Sequence, residues 1–423
     1  MYQPSPFNRE RNFSLARINI KTLVIENGVT TIGGSAFRDC TNLTNVTIPD
    51  SIISIGTHPF SGCESLASIL VDENNSNYSS YEGVLFNKQQ TVLLCYPGGH
   101  GSSYTIPDGV ESIGEFAFYG VTNLTSVSIP DSVVSIGWES FGNCTSLTNI
   151  TISDNVVSIG RYAFSGCTRL SSVSISDSVE NIDDGAFWGC SNLTAIIIPD
   201  SVTSMGREIF ERCTRLTDVV ISNNISTIDY AAFASCSSLK SITIPDNVIT
   251  IHYLAFEHCS NLQKFIVSDD NANFSVIDGV LFNKEGTTLV TYPNAKSATY
   301  VIPDGVTSIG RAAFYGCSSL TGITIPNSVT NIGQWAFYHC NLTDVEIPNS
   351  ITSIDEYTFD NCTKLTTITL PKEINSIKSY AFYDCTNLTD VYYGGTQEDW
   401  NAITIGVNNY ALTSANIHYS SGT

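Results

Sequence analysis

The chain has 423 residues, with 40 Asp and Glu against 19 Lys and Arg, for a net charge of -21. An acidic surface repels phosphate backbones and anionic headgroups, which argues against nucleic acid and bare membrane as partners, and no apolar run approaches the ~20 residues needed to cross a bilayer, so no membrane insertion is expected. Only 14% of residues are charged, so Ser, Thr and Asn do most of the solubilising, a balance commoner on secreted and surface proteins than in cytosolic enzymes.

Residues 1–19 are polar, carry Arg9, Arg11 and Arg17, and have neither an apolar core region nor a small-residue cleavage site, so they do not read as a secretory signal. They read as an N-terminal segment or partial cap, with Phe7, Phe13, Leu15 and Ile18 available to fold over an open end. Together with the linker-like Ser420-Ser421-Gly422-Thr423, this suggests a fragment whose export signal has been removed.

From Ile20 onward the text repeats. Leu124 to Ser146 (LTSVSIPDSVVSIGWESFGNCTS) begins again at Leu147, and one phenylalanine marks each copy: Phe37, Phe60, Phe118, Phe141, Phe164, Phe187, Phe210, Phe233, Phe256, Phe314, Phe337, Phe359 and Phe382. Every step from Phe118 to Phe256 is 23 residues. A fixed period of this length marks a solenoid, whose units bury their apolar sides only against their neighbours. Within a copy, Leu124-x-x-Val127-x-Ile129 has the spacing of a short strand in a leucine-rich repeat. Pro130-Asp131 ends it, because proline donates no ladder bond and Asp favours turns. Val133 and Ile136 supply two more inward positions, and Glu139 to Cys144 reads as one helical or 3₁₀ turn.

Two steps are long, at 58 residues: Phe60 to Phe118 and Phe256 to Phe314. Both hold the same insert, near 72–100 and 268–296. Gly83-Val84-Leu85-Phe86-Asn87-Lys88 matches Gly279-Val280-Leu281-Phe282-Asn283-Lys284, and Tyr96-Pro97 matches Tyr292-Pro293. Each predicts a hairpin that replaces the helical turn of its rung and projects from the side. Equivalent positions lie 196 residues apart, so the chain looks duplicated at a second level. The step from Phe337 to Phe359 is 22, because Cys340-Asn341-Leu342 lacks a residue. After residue 395 the pattern changes. Thr396 and Asp399 sit at capping-box spacing, Trp400, Ile403 and Ile405 are placed to cover the last rung, and Asn416 to Tyr419 offers a final strand. Residues 396–423 therefore read as a C-terminal cap.

These residues resemble the BspA-like, treponemal-type leucine-rich repeats. The family pattern C-x-x-L-x-x-I-x-I-P, then V-x-x-I-G-x-x-A-F-x-x-C, is matched by Cys236 to Cys259 nearly letter for letter, and the GVLFN insert and YYGGT-x-x-x-W ending fit as well. The resemblance covers roughly residues 20–395. It implies a bacterial cell-surface or secreted protein that adheres to host matrix proteins, host cells or other bacteria; it carries over no catalytic or binding residue. The expected fold is an α/β leucine-rich-repeat solenoid, β-dominated, a right-handed curved horseshoe of 23-residue repeats with short convex helical or 3₁₀ turns.

Candidate chemistry is sparse. Twelve of the thirteen cysteines lie three residues after a rung phenylalanine, and Val121 fills the one remaining slot, so the position accepts a plain hydrophobe and reads as core. His58, His100, His252, His258, His339 and His418 show no zinc-ligand spacing. No G-x-S-x-G occurs, and Gly98-Gly99-His100-Gly101 does not lead from strand to helix as a phosphate loop would. No enzyme activity, metal or cofactor is expected, and sequons such as Asn42-Leu43-Thr44 follow from the repeat itself. A flanking aromatic row (Trp138, Tyr162, Trp188, Trp335, Tyr357, Tyr380) reads as packing against neighbouring rungs, with sugar or protein binding as its alternative. The informative feature is the outward side of the strands. It reads Thr125, Ser126, Ser128; Thr148, Asn149, Thr151; Ser171, Ser172, Ser174: a broad hydroxyl-lined sheet. Ile197, Val220 and Ile266 interrupt it with apolar groups, and Asp344, Glu346, Asp390 and Tyr392 with an acidic, aromatic-edged stretch. These seven are the candidate partner-binding residues. The expected partners are extracellular proteins, such as host matrix proteins, or glycoproteins, bound by a monomer. The alternatives are a structural spacer in a larger surface protein and a carbohydrate-binding module.

Overall fold

The computed structural model describes residues 20–420; the expectations for the N-terminal segment and for residues 421–423 lie outside them. The chain divides into two compact units, Met1–Cys213 and Thr214–Thr423. Each unit is a β-solenoid built from the same rung.

In unit 1 one rung shows the logic. The strand Ser126–Ser128 pairs in parallel with Ser103–Thr105, one rung earlier. The chain turns at Pro130 and enters a second, two-residue strand, Ser135–Ile136, which pairs with Ser112–Ile113 on one side and Ser158–Ile159 on the other. Register advances by one full repeat at each step, so Ile113, Ile136 and Ile159 stack as one buried column. The rung returns through a turn that carries Phe141 and Cys144 inward, both fully buried.

That turn is not helical. Glu139 and Asn143, two residues before and after Phe141, both have left-handed backbones, and an αL residue breaks any helical run. Amide groups there alternate between two directions. Ser140 and Gly142 donate back to the carbonyls of Gly137 and Glu139, whereas Glu139, Phe141 and Asn143 donate across to Arg161, Ala163 and Ser165 of the next rung at 2.7–2.9 Å. The third side of the rung is therefore a hydrogen-bonded ladder, and it satisfies buried peptide groups that a lone turn would leave orphaned.

The phenylalanines form the spine. In unit 1, Phe118, Phe141, Phe164, Phe187 and Phe210 stack with centroids 4.8–5.7 Å apart and planes within 10°. In unit 2, Phe314, Phe337, Phe359 and Phe382 stack at 5.1–5.3 Å with planes 8–21° apart. Each large apolar side chain buried this way contributes roughly 1.5–3 kcal/mol, available only when a neighbour covers it.

The inserts differ from expectation. Each is a three-stranded antiparallel meander: Tyr78–Tyr81, Val84–Asn87 and Val92–Cys95 in unit 1, and Phe274–Ile277, Val280–Asn283 and Thr288–Thr291 in unit 2. Neither projects from the side. The last strand of each continues the second sheet, Val92–Leu93 pairing with Ser112–Ile113 and Thr288–Leu289 with Ser308–Ile309. Val84, Leu85 and Phe86, like Val280, Leu281 and Phe282, are fully buried; three consecutive apolar residues would lose their burial on a lateral arm. Tyr96 and Tyr292 then take the spine position, packed on Phe118 and Phe314 at 5.0 and 4.9 Å, and donate their N–H to Ala117 and Ala313 as a rung phenylalanine would.

Unit 2 closes at its end. The Thr396/Asp399 capping box starts a helix, Gln397–Asn401, and Trp400 packs edge-on against Tyr393 at 5.3 Å. Thr404–Ile405 and Asn416–Tyr419 extend the second and first sheets by one strand each. Asn409, 3% exposed, supplies its Oδ1 to the Phe382 N–H, and its Nδ2 donates to Lys378 and Gly406 carbonyls. One side chain thus stands in for the carbonyl a further rung would have provided.

Candidate functional site

Because strand residues alternate sides, each rung presents two side chains outward from its first sheet. In unit 1 these are Ser103 and Thr105, Ser126 and Ser128, Asn149 and Thr151, and Ser172 and Ser174, all exposed. The third expected hydroxyl row is already committed within the solenoid. Thr125, Thr148 and Ser171 donate their hydroxyls to the carbonyls of Ser102, Thr125 and Thr148, one rung back. In unit 2 Thr321 and Thr366 do the same, while Thr343 and Thr389 donate at shorter distance to the neighbouring Asp344 and Asp390 carboxylates. Two rows, not three, remain for a partner.

The apolar interruptions are exposed. Ile197 is 64% exposed in unit 1; in unit 2 Val220 is 56% and Ile266 42% exposed, the last in register with Thr243. Sequence reasoning missed companions at the same outward position: Val24 and Leu70 in unit 1, in register with Thr47 between them, and Val301 in unit 2. The alternation that singled out Ile197 applies to each of them, so the signal was present.

The acidic stretch of unit 2 resolves into two rows. One runs Asp344, Thr367, Asp390, Asn416, and the other Glu346, Thr369, Tyr392, His418. Asp344 and Asp390 are thus two rungs apart, roughly 10 Å, and Tyr392 lies on the side of Glu346. His418, not singled out for binding from sequence, ties the end together. Its Nε2 meets Asp390 Oδ1 at 2.7 Å, and its ring stacks on Tyr392 at 4.6 Å. The hydrogen bond with His418, then that donated by Thr389, hold the Asp390 carboxyl below its usual range. The cap strand Asn-Ile-His-Tyr carries the same alternation as a rung, which would have placed His418 after Tyr392.

The flanking aromatics have occupied faces. Trp335 has Arg311 over it at 4.5 Å and Tyr357 beside it at 5.7 Å; Tyr357 and Tyr380 stack at 5.0 Å. In unit 1 Tyr162 lies against Gly185 and donates its hydroxyl to Glu208 at 2.8 Å, Trp188 lies under Arg212, and Trp138, 41% exposed, packs on Phe116 at 5.0 Å. They pack between rungs and leave few open ring platforms.

The cysteines are all free and buried. Their thiols form another ladder: Cys144, Cys167 and Cys190 each donate to the carbonyl of the previous rung's phenylalanine at 3.1–3.2 Å. Burial pushes the Cys167 thiol up to about 12, so these groups are not thiolate nucleophiles. Among the described residues no group of three or more His, Cys, Asp or Glu could hold a metal, and no helix is long and apolar enough to cross a membrane. Gly98 to Gly101 joins two strands.

A profile for the BspA type leucine rich repeat region matches residues 10–91, 95–217, 158–285 and 290–404. The chain belongs to this family. A leucine rich cell surface protein from Faecalibacterium prausnitzii is 32% identical, over 77% of this chain and 97% of that one, with a TM-score of 0.62. A leucine-rich repeat protein from Bacteroides ovatus, 24% identical over 95% and 92% of the two chains, and the pneumococcal vaccine antigen PcpA, 22% identical over 81% and 85%, share the fold at TM-scores of 0.55 and 0.58. No curated protein matches. A role as a surface or protein-interaction repeat follows from the family.

Proposed function

We propose that this chain is a non-enzymatic recognition and adhesion module of a bacterial surface or extracellular protein. It binds a protein partner, such as a host matrix protein, through the outward rows of its first sheet. The observation that carries this reading is the contrast within each strand. Inward positions are uniformly apolar, whereas outward positions form open rows of short polar groups interrupted by exposed Ile197, Val220, Ile266 and Tyr392 and by Asp344, Glu346 and Asp390. Burying exposed apolar groups supplies affinity, and the carboxylates around them supply register and charge selection. The cell-surface description of the Faecalibacterium relative supports the location. Occupied ring faces on the aromatic flank weigh against a carbohydrate module. The uniformly short polar Ser, Thr and Asn rows of residues 103–174 favour, for that part of unit 1, a spacing role.

The test is binding of the purified chain to immobilised fibronectin and fibrinogen at ~0.15 and ~0.5 M salt, beside Ile197→Asp and Val220→Asp in one variant. Saturable binding that survives salt and is lost in the variant supports the reading. No saturable binding by either protein at tens of micromolar sinks adhesion to these ligands and leaves the spacer.

A further inference from the structure

The turn ladder repeatedly gathers aromatic rings and carboxylates, and the chain usually answers with its own arginine. In unit 1 Arg212 lies 5.1 Å over Trp188 and pairs with Glu211, and Arg161 lies 5.3 Å over Tyr162 and pairs with Asp184. In unit 2 Arg311 lies 4.2 Å from Tyr253 and 4.5 Å from Trp335. At the end of unit 2 no arginine or lysine lines the corresponding place. Between the last rung and the cap of unit 2 is a cleft of about 400 Å³, within the range of ligand sites. Phe382, Cys385, Leu388 and Ala411 form its apolar floor, Tyr383 and Tyr410 its walls, and Asp384 and Asn408 stand at its rim. Tyr383 is 44% and Tyr410 72% exposed, and neighbouring Val407 is 66% exposed. Asp384 has no ion-pair partner among the described residues. A second carboxylate, Asp360, sits one rung back, where the Asn361 N–H donates to the Tyr383 carbonyl.

We propose that this cleft is a docking site for an arginine or lysine side chain of a basic partner protein. The floor takes the methylene stem, Asp384 takes the charged head, and Tyr383 and Tyr410 flank it, as Trp and Tyr flank the chain's own arginines. The occupant belongs to a protein, because the exposed Val407 and Tyr410 rim gives a macromolecular partner apolar surface to cover. Charge complementarity selects a basic one: Asp384 is the one charged side chain lining the cleft, and the whole chain carries -21. Burial and the neighbouring Asp384 hold Asp360 up at about 7, a state that an arriving cation relieves. This site is separate from the sheet rows and stands whether or not they bind.

The test uses the intact chain with isotope-labelled tyrosine rings, titrated with acetyl-Gly-Arg-Gly-amide and with its citrulline counterpart, the neutral isostere. Saturable shifts of the Tyr383 and Tyr410 signals are expected with the arginine peptide in the millimolar range, and affinity about tenfold weaker for citrulline. Asp384→Asn, a small change at an exposed position, is expected to remove the difference between the peptides without lowering the thermal midpoint, which above neutral pH rises slightly because the Asp360 carboxyl loses its repelling neighbour. Equal response to both peptides, or no saturable shift at ~50 mM arginine peptide, overturns the proposal.

Discussion

The meander of unit 1 and that of unit 2 are the same device with different exteriors. Both bury a Val-Leu-Phe strand, both hand the aromatic spine to a tyrosine, and both hold a fully buried asparagine, Asn75 or Asn271, beneath the first strand. Both place a lysine, Lys88 or Lys284, on a carbonyl fifteen residues earlier. Outside, they part. Tyr81 and Glu82 occupy the turn in one, and Ile277 and Asp278 in the other. His100 donates from Nδ1 to the Ala67 carbonyl in the first, where Lys296 instead reaches Asp278 at 2.8 Å in the second. Packing and backbone satisfaction constrain the inside of a rung, because a buried group without its partner costs about 1–3 kcal/mol. Nothing comparable constrains the outside, so variation accumulates where a partner would read it.

The strongest way to break this comparison is at the buried asparagines. Asn75 donates to the Pro49 and Ile52 carbonyls and accepts from the Asn77 and Tyr78 amides. Asn271 accepts the same pair but donates to Pro245 alone, and Asn273 serves Val248. Asn75→Ala is expected to lose about 3–5 kcal/mol in urea unfolding, and Asn271→Ala about 1 kcal/mol less. Equal small losses below about 1 kcal/mol would mean these bonds do not hold the inserts.

A buried exception comes next. Asp360, 8% exposed, has its carboxyl raised from 3.8 to about 7 by burial and then by Asp384. A raised acid favours the folded state while protonated, so its contribution is complete below about pH 4 and is lost as pH rises through about 7. Asp360→Asn is therefore expected to gain on the order of 3 kcal/mol over wild type at pH 8, shrinking toward zero near pH 4, in thermal melts across that range. A pH-independent difference would contradict the assignment.

How much of this was legible in the sequence depends on which property a residue needed. The phenylalanine period, the cysteine filler and the Thr396/Asp399 box were readable, because burial and capping select residue types at fixed spacing. The left-handed turn was not, since backbone handedness leaves no hydrophobic period. Its one trace is the glycine two places after Phe60, Phe118, Phe164, Phe187 and Phe314. Tyr96 and Tyr292 escaped a ruler that looked for phenylalanine. The hairpins were placed outside because the three consecutive apolar residues of each, Val84 to Phe86 and Val280 to Phe282, were not weighed as a strand buried on both faces. His418 was within reach of the alternation of Asn416 to Tyr419, but its contacts with Asp390 and Tyr392 needed the paired fold.

The turn ladder offers a smaller effect. Gly185 is left-handed, and a Cβ there would fall 2.0 Å from the Tyr162 ring. Gly185→Ala is expected to displace that ring, break its bond to Glu208 and lose about 1–3 kcal/mol, with tyrosine absorbance near 280 nm changing in the folded baseline. An unchanged melt would show the ring yields freely. Smallest of all, Tyr81→Ser and Ile277→Ser, at the two meander tips, are each expected to change stability by less than about 0.5 kcal/mol.

The central claim is that the rung interior sets stability while the outward rows set recognition. Its most direct test is one binding isotherm on immobilised fibronectin for wild type, Asn75→Ala and the pair Ile266→Ser/Tyr392→Ser, each at a temperature where its melt shows it fully folded. The account predicts an unchanged dissociation constant for Asn75→Ala and a loss of tenfold or more for the paired variant, about 1.4 kcal/mol. Equal affinity for the paired variant and wild type, or a matching loss in Asn75→Ala, would contradict it.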